Sequence, residues 1–123
     1  MDSRAARPSG RQPASLARAL LAAEIAEAKR AEDVVVLDLR ALTLVTDYFV
    51  ICTGASRVQI RAIADAIAEA LDAQHVRGVR EGDESAQWVL LDYGDAVVHI
   101  FGPEARAFYR LERLWGDAPV VKR

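Results

Sequence analysis

The chain predicts an α/β protein, a small mixed β-sheet with flanking helices. Three observations carry this. Val34 to Leu39 and Asp47 to Thr53 are short apolar runs rich in β-branched and aromatic residues, as buried strands are. Ile60, Ile63, Ala64, Ile67 and Leu71 recur at helical spacing behind Ser56 and Gln59, an S-x-x-Q capping box. Trp88 to Phe101 reads as a β-hairpin with alternating faces. The order is helix, two strands, helix, hairpin, short helix. It suits helices layered on a sheet and lacks the successive βαβ units of a long doubly wound fold.

Each element has a local cause. Residues 1–14 contain Pro8, Gly10 and Pro13 and are expected to form a poorly ordered arm ahead of one domain over 15–120. Ser15 is the expected N-cap of a helix over 16–31, with Leu16, Leu20, Leu21, Ile25 and Ala28 as its apolar stripe. Leu42 to Thr46 connects the two strands. Gly54-Ala55-Ser56 stops the second strand and opens a helix over 57–73, with His75 near its end. Gly78 to Gly82 is a candidate short edge strand. Pro103 and Glu104 mark a helix start, and Phe108, Leu111, Leu114 and Trp115 continue it to 115 at three- and four-residue spacing. The tail from Pro119 carries no strong signal.

Composition narrows the function classes. Of 123 residues 52% are apolar, enough for a real core. No apolar run approaches the roughly 18–20 residues that cross a bilayer, and no secretory h-region is evident. The single cysteine, Cys52, lies in an apolar run, so a disulfide framework is excluded and a reducing cytosol fits. The net charge of −2 is uneven. Residues 1–18 hold Arg4, Arg7, Arg11 and Arg18 against Asp2, a net +3, which leaves −5 on the rest. An acidic body disfavours nucleic acid as the main ligand and suits a basic protein partner. The Arg-rich start is similar in composition to a mitochondrial transit peptide. A bacterial N-terminus, in a cytoplasmic protein, is the preferred reading because the helix begins almost at once.

The hairpin carries the most information. A two-residue turn at Tyr93-Gly94 sets Asp92 opposite Asp95, Leu90 opposite Val97 and Trp88 opposite His99, all on one face. Val89, Leu91, Ala96, Val98 and Ile100 on the other face are ordinary core. Two facing carboxylates repel, so the first face is expected to meet something basic or to border a site. Trp88 is read as an interface aromatic, and Trp115, beside Leu111 and Leu114, as core.

Catalytic and metal chemistry is weakly supported. Gly54-Ala55-Ser56 before a helix could hold an anion, but it has neither the P-loop nor the Rossmann spacing. It resembles the opening of nucleotidyltransferases, yet the next acids, Asp65, Glu69 and Asp72, fall on a helix. The metal-holding carboxylate pair is missing. Asp95 and His99 are four strand residues, about 13 Å, apart, too far for one ion. No cofactor is expected. A nucleotide-binding or nucleotidyl-transferring enzyme using Ser56, Asp92 and Asp95 stands as the alternative function.

Longer motifs point to a family. Thr46-Asp47-Tyr48-Phe49-Val50-Ile51, Gly54-Ala55-Ser56, Trp88 through Phe101 and Phe108 through Ala118 resemble the ribosomal silencing factor, or Iojap-like, family over roughly residues 16–120. The resemblance implies a nucleotidyltransferase-like fold without its active site. It also implies a homodimer or monomer that binds the large ribosomal subunit through the large-subunit ribosomal protein numbered fourteen. There it would block the small subunit and repress translation. Carried over by motif, the protein-binding residues are Trp88, Leu90, Asp92, Tyr93, Asp95, Val97 and His99, with Glu112 and Trp115 near them. Ala55 departs from the family, where relatives often have Thr. A bland alternative makes this face a homodimer contact only.

Overall fold

The computed structural model describes residues 13–123; most of the expected N-terminal arm, residues 1–12, lies outside them. Four helices and five strands follow in the order α1 (Ala14–Ala28), β1 (Glu32–Asp38), β2 (Tyr48–Thr53), α2 (Arg57–Ala73), β3 (Val79–Glu81), β4 (Trp88–Asp92), β5 (Ala96–Phe101), α3 (Pro103–Tyr109) and α4 (Leu111–Leu114). The sheet order is β1-β2-β5-β4-β3. Among the described residues only β2 and β5 pair in parallel; the other neighbours are antiparallel. The mixed sheet matches the expected class, and β3 is an edge strand, as expected.

Alternation sorts the strands onto two faces. Val36, Val50, Cys52, Val89, Leu91, Val98 and Ile100 meet α1 and α2 in the larger core. Leu37, Ile51 and Phe101 form a smaller core on the opposite face, with Trp88, Leu111 and Trp115 packed against it. All six residues of β5 are buried.

Two helix expectations are corrected. Helix α1 begins at Ala14 with Pro13 as its N-cap, so Ser15 lies buried inside the first turn and makes no cap. Its buried seam is Ser15, Ala19, Ala22, Ala23 and Ala26. Leu16, Leu21 and Ile25 are only partly buried at its flanks. Alanine wins the centre because α1 contacts α2, β1, β2 and β5 together, and small side chains let the backbones approach. The expected helix over 104–115 is broken at Arg110, which is left-handed at φ 48°, ψ 51°.

Helix α2 follows its sequence signals closely. The Ser56 hydroxyl accepts from the Gln59 N–H at 3.1 Å. Gln59 Oε1 in turn accepts from the Ala55 N–H at 2.6 Å. The same Gln59 amide donates to the carbonyls of Lys29 and Arg30 beyond α1. One side chain thereby ties the start of α2 to the end of α1.

The signal-poor tail has a structural task. Asp38 N donates to Pro119 O at 2.9 Å and Val121 N to Val36 O at 2.8 Å, so the tail covers the β1 edge. Arg123 locks it by donating to Glu27 at 2.7 Å and to Val34 O at 2.9 Å. An open edge invites pairing with other chains, and this one is closed. Among the described residues no helix is long and apolar enough to cross a membrane.

Removing the α2 cap gives a direct check. Ser56→Ala should lower unfolding stability by about 1 kcal/mol in urea denaturation, whereas a change below a few tenths would show the cap to be idle.

Candidate protein-binding face

The hairpin register differs from the expected one. Asp92 pairs with Val97, Leu90 with His99 and Trp88 with Phe101. The two-residue loop is Gly94-Asp95, closed by a Tyr93 N–H to Ala96 O bond of 3.0 Å. Gly94 takes φ +85°, as the first position of a II′-type hairpin loop requires. The shift moves every pair by two residues, so the faces keep their members while partners change. Trp88, Leu90, Asp92, Val97 and His99 do share a face.

The facing acid pair is therefore overturned. Asp92 Oδ1 accepts from the Gly94 N–H at 2.8 Å and shapes the turn. Asp95 sits in the loop and pairs with Arg18 of α1 at 2.5 Å. Each of these two side chains is about a third exposed, so solvent screening holds the pair to at most about 1 kcal/mol. Tyr93 is also separated from the group. By alternation its ring lies on the α2 side, so close to Gly78 that a Cβ there would come within 2.5 Å of it.

What the structure assembles instead is aromatic. The Trp88 indole lies 4.9 Å from Phe101 and 4.7 Å from Tyr109, and Phe108 meets Tyr109 edge-on at 5.0 Å. Each such pair adds about 0.5–1.5 kcal/mol beyond its buried area. Phe108 is 79% exposed, Leu114 75% and Tyr109 50%. Leu90, Trp88 and Trp115 are half-buried beside them.

Sequence reading missed the exposure of Phe108 and Leu114. Their spacing suits one buried stripe on a continuous helix. The kink at Arg110 turns Leu111 and Trp115 inward and leaves those two outside; no residue type at position 110 announces it. Trp115 packs edge-on against Phe49 at 5.9 Å but stays only partly buried, so it is part core and part surface.

Two expected contact residues lie beneath the surface: Val97 is 8% and His99 4% exposed. The indole N–H of Trp88 donates to His99 Nδ1 at 3.1 Å. An indole nitrogen can only donate, so Nδ1 is the acceptor and the imidazole proton sits on Nε2. Among the described residues that Nε2 is buried without a hydrogen-bond partner. Burial pushes the His99 pKa down to about 4, against the opposing pull of the Asp92 charge.

The rim is charged in both signs. Glu112 is held by Arg106 through contacts of 2.7 and 2.8 Å, and Arg106 also donates to Thr53 Oγ1 at 2.9 Å. Arg110 and Arg113 are exposed at one end and Asp92 at the other.

The other candidate chemistry finds little support. The cleft at Gly54-Ala55-Ser56 is lined by a single carboxylate, Glu104, and the Ser56 hydroxyl is engaged as a cap. Among the described residues no cluster of three or more His, Cys, Asp or Glu could hold a metal. Cys52 is buried, its thiol pushed up to about 12 by burial. A protonated, buried thiol is a poor nucleophile.

An open mixed sheet, two long helices on one face and two short ones on the other, where an aromatic cluster breaks surface, describe a small α/β module with a candidate docking face. Residues 12–123 match the family model described as ribosomal silencing factor during starvation, and the chain belongs to that family. It is 46% identical over 102 residues to the ribosomal silencing factor RsfS of Bacillus subtilis (strain 168), covering 82% of this chain and 86% of that one. It is 37% identical to the chloroplastic protein Iojap of Zea mays over 87% of this chain and 47% of that protein. A crystal structure from Chromobacterium violaceum superposes with a TM-score of 0.81 at 36% identity, covering 85% of this chain and 88% of the other. One from Bacillus halodurans gives 0.75 at 41%, covering 85% and 95%.

The buried imidazole makes a pH prediction. Well above pH 6.5 His99 is neutral in both folded and unfolded chains and its titration contributes nothing to stability. Below that the unfolded chain takes up a proton that the native one refuses until about pH 4. Stability is therefore lost as pH falls from 6.5 to 4, by about 3 kcal/mol for this group. In urea melts at pH 4–7, His99→Phe should flatten this slope relative to wild type. Parallel curves would show His99 to titrate normally.

Proposed function

We propose that this protein is a cytoplasmic translational repressor. It binds the large ribosomal subunit through the large-subunit ribosomal protein numbered fourteen and keeps the small subunit from joining. The relatives carry the name of ribosomal silencing factors, which supports the ribosomal destination. The observation that carries the choice of surface is the cluster around Trp88, where stacked aromatic rings and exposed apolar side chains meet; Leu44 and Val45 in the loop between β1 and β2 are also exposed but bring no aromatic ring with them.

The cluster has the makeup of a binding hot spot: aromatics at the centre and charge at the rim. Trp88, Leu90, Tyr109 and Trp115 would supply the apolar anchor, with Phe108 and Leu114 widening it. Asp92 and Glu112 would meet basic side chains of the ribosomal protein. Val97 and His99 would act from below, shaping the surface without being covered. Repression would then be steric, since a domain seated where the small subunit docks needs no catalytic step.

The test is subunit joining. Purified protein is mixed with isolated large subunits, small subunits are added, and joining is followed by gradient sedimentation. Wild type should block it. Trp88→Ala should weaken binding by about 2–4 kcal/mol and release the block, and Asp92→Lys should release it in part. A wild type that leaves joining untouched sinks the reading. A Trp88→Ala variant that becomes monomeric yet still blocks joining would assign the face to a homodimer instead.

A further inference from the structure

We propose that His99 is a positioning residue: it fixes the orientation of the Trp88 indole, so that a partner meets a preset aromatic surface. The proposal deepens the ribosome-binding reading and rests on it for the identity of the partner. Its physical basis is a mismatch between what His99 costs and what it supplies.

A 4% exposed core position is ordinarily filled by an apolar side chain. Here it holds an imidazole whose Nε2–H has no partner among the described residues. Buried unsatisfied donors are uncommon in native proteins and call for a reason. The one thing the imidazole provides that Phe or Leu could not is Nδ1, the acceptor for Trp88 Nε1 at 3.1 Å.

The indole as a whole is half-buried, so its ring is not held on every side by packing. What the bond does is choose one orientation. Phe49 holds the imidazole edge-on at 4.5 Å, and Phe101 lies near-parallel to it at 6.2 Å. A ring wedged this way cannot follow the indole, so the indole must follow the ring. The indole is then kept against Phe101 and Tyr109 before any partner arrives. A contact residue fixed beforehand loses less freedom on binding, and affinity gains accordingly.

The experiment compares wild type, His99→Phe and His99→Asn with indole nitrogens labelled for NMR. Trp88 and Trp115 are assigned through Trp115→Phe. In Asn the side-chain oxygen sits on the same carbon as His Nδ1 and can accept in its place. The Trp88 indole N–H should exchange with solvent at least about tenfold more slowly than that of Trp115 in wild type, lose that protection in His99→Phe, and regain most of it in His99→Asn. Binding to purified large subunits should follow the same order: about tenfold weaker for Phe, within about threefold of wild type for Asn. His99→Phe should nevertheless be at least as stable as wild type at pH 7, which separates positioning from a structural role. Equal exchange of the two indoles in wild type overturns the proposal, even if the Phe variant fails to fold. So does a folded Phe variant that binds as tightly as wild type. If wild type itself does not bind large subunits, the ribosomal reading fails, while the exchange measurement still judges the His99–Trp88 bond.

Discussion

The parallel pairing of β2 with β5 places a wholly buried strand at the middle of the sheet, and the rest of the molecule is arranged to cover it. All six residues of β5 are buried, so both faces need a lid. Helices α1 and α2 supply one: α1 sits low on its alanines, and α2 sets Ile60, Ile63, Ile67 and Leu71 against the strands. The other lid is small. Seven-residue α3 and four-residue α4 have no buried residue of their own. They screen Phe101, Ile51 and Leu37 without sealing the face. The aromatic cluster at Trp88 is what that incomplete lid leaves in reach of solvent.

The two edges of the sheet are treated differently. The tail from Pro119 pairs with β1 and is pinned by Arg123, which removes one set of open backbone groups. At the opposite edge β3 is three residues long, and Arg80 within it is tied to Asp65 and Asp83. A short, charged edge is a poor template for a further strand. With one edge covered and the other blunted, the face at Trp88 is the surface proposed here for a partner. On that proposal its aromatic rings would supply affinity, and its rim of Asp92, Glu112, Arg110 and Arg113 selection by charge.

Much of the fold is legible in the chain. Strand positions follow from short β-branched runs, α2 from its period and its Ser56–Gln59 cap, and the hairpin from the glycine that its turn demands. These signals are local: they depend on dihedral preference, side-chain alternation and hydrogen bonds within four residues. Alternation has period two, so even a hairpin register displaced by two residues leaves Trp88, Leu90, Val97 and His99 on one face. The candidate site was legible to that extent. Its chemistry was less so. Asp95 paired with Arg18, 77 residues away, and Tyr93 turned to the α2 side. A turn reading places neighbours but cannot see a helix arriving from elsewhere in the chain.

The sequence by itself determined the α/β class, the strand positions and helix α2, the family motifs and which hairpin residues share a face. Tertiary structure alone decided that alanines rather than leucines centre α1, because only the crowding of α2 and the sheet makes small side chains the better fit. It decided that the helix breaks at Arg110, exposing Phe108 and Leu114, since a left-handed arginine is disfavoured locally and is tolerated here where Leu111 and Trp115 turn inward to pack. It also decided that His99 lies beneath the face, with its neutral imidazole joined to Trp88. Burial and partner geometry are set by residues distant in sequence, and no local pattern encodes them.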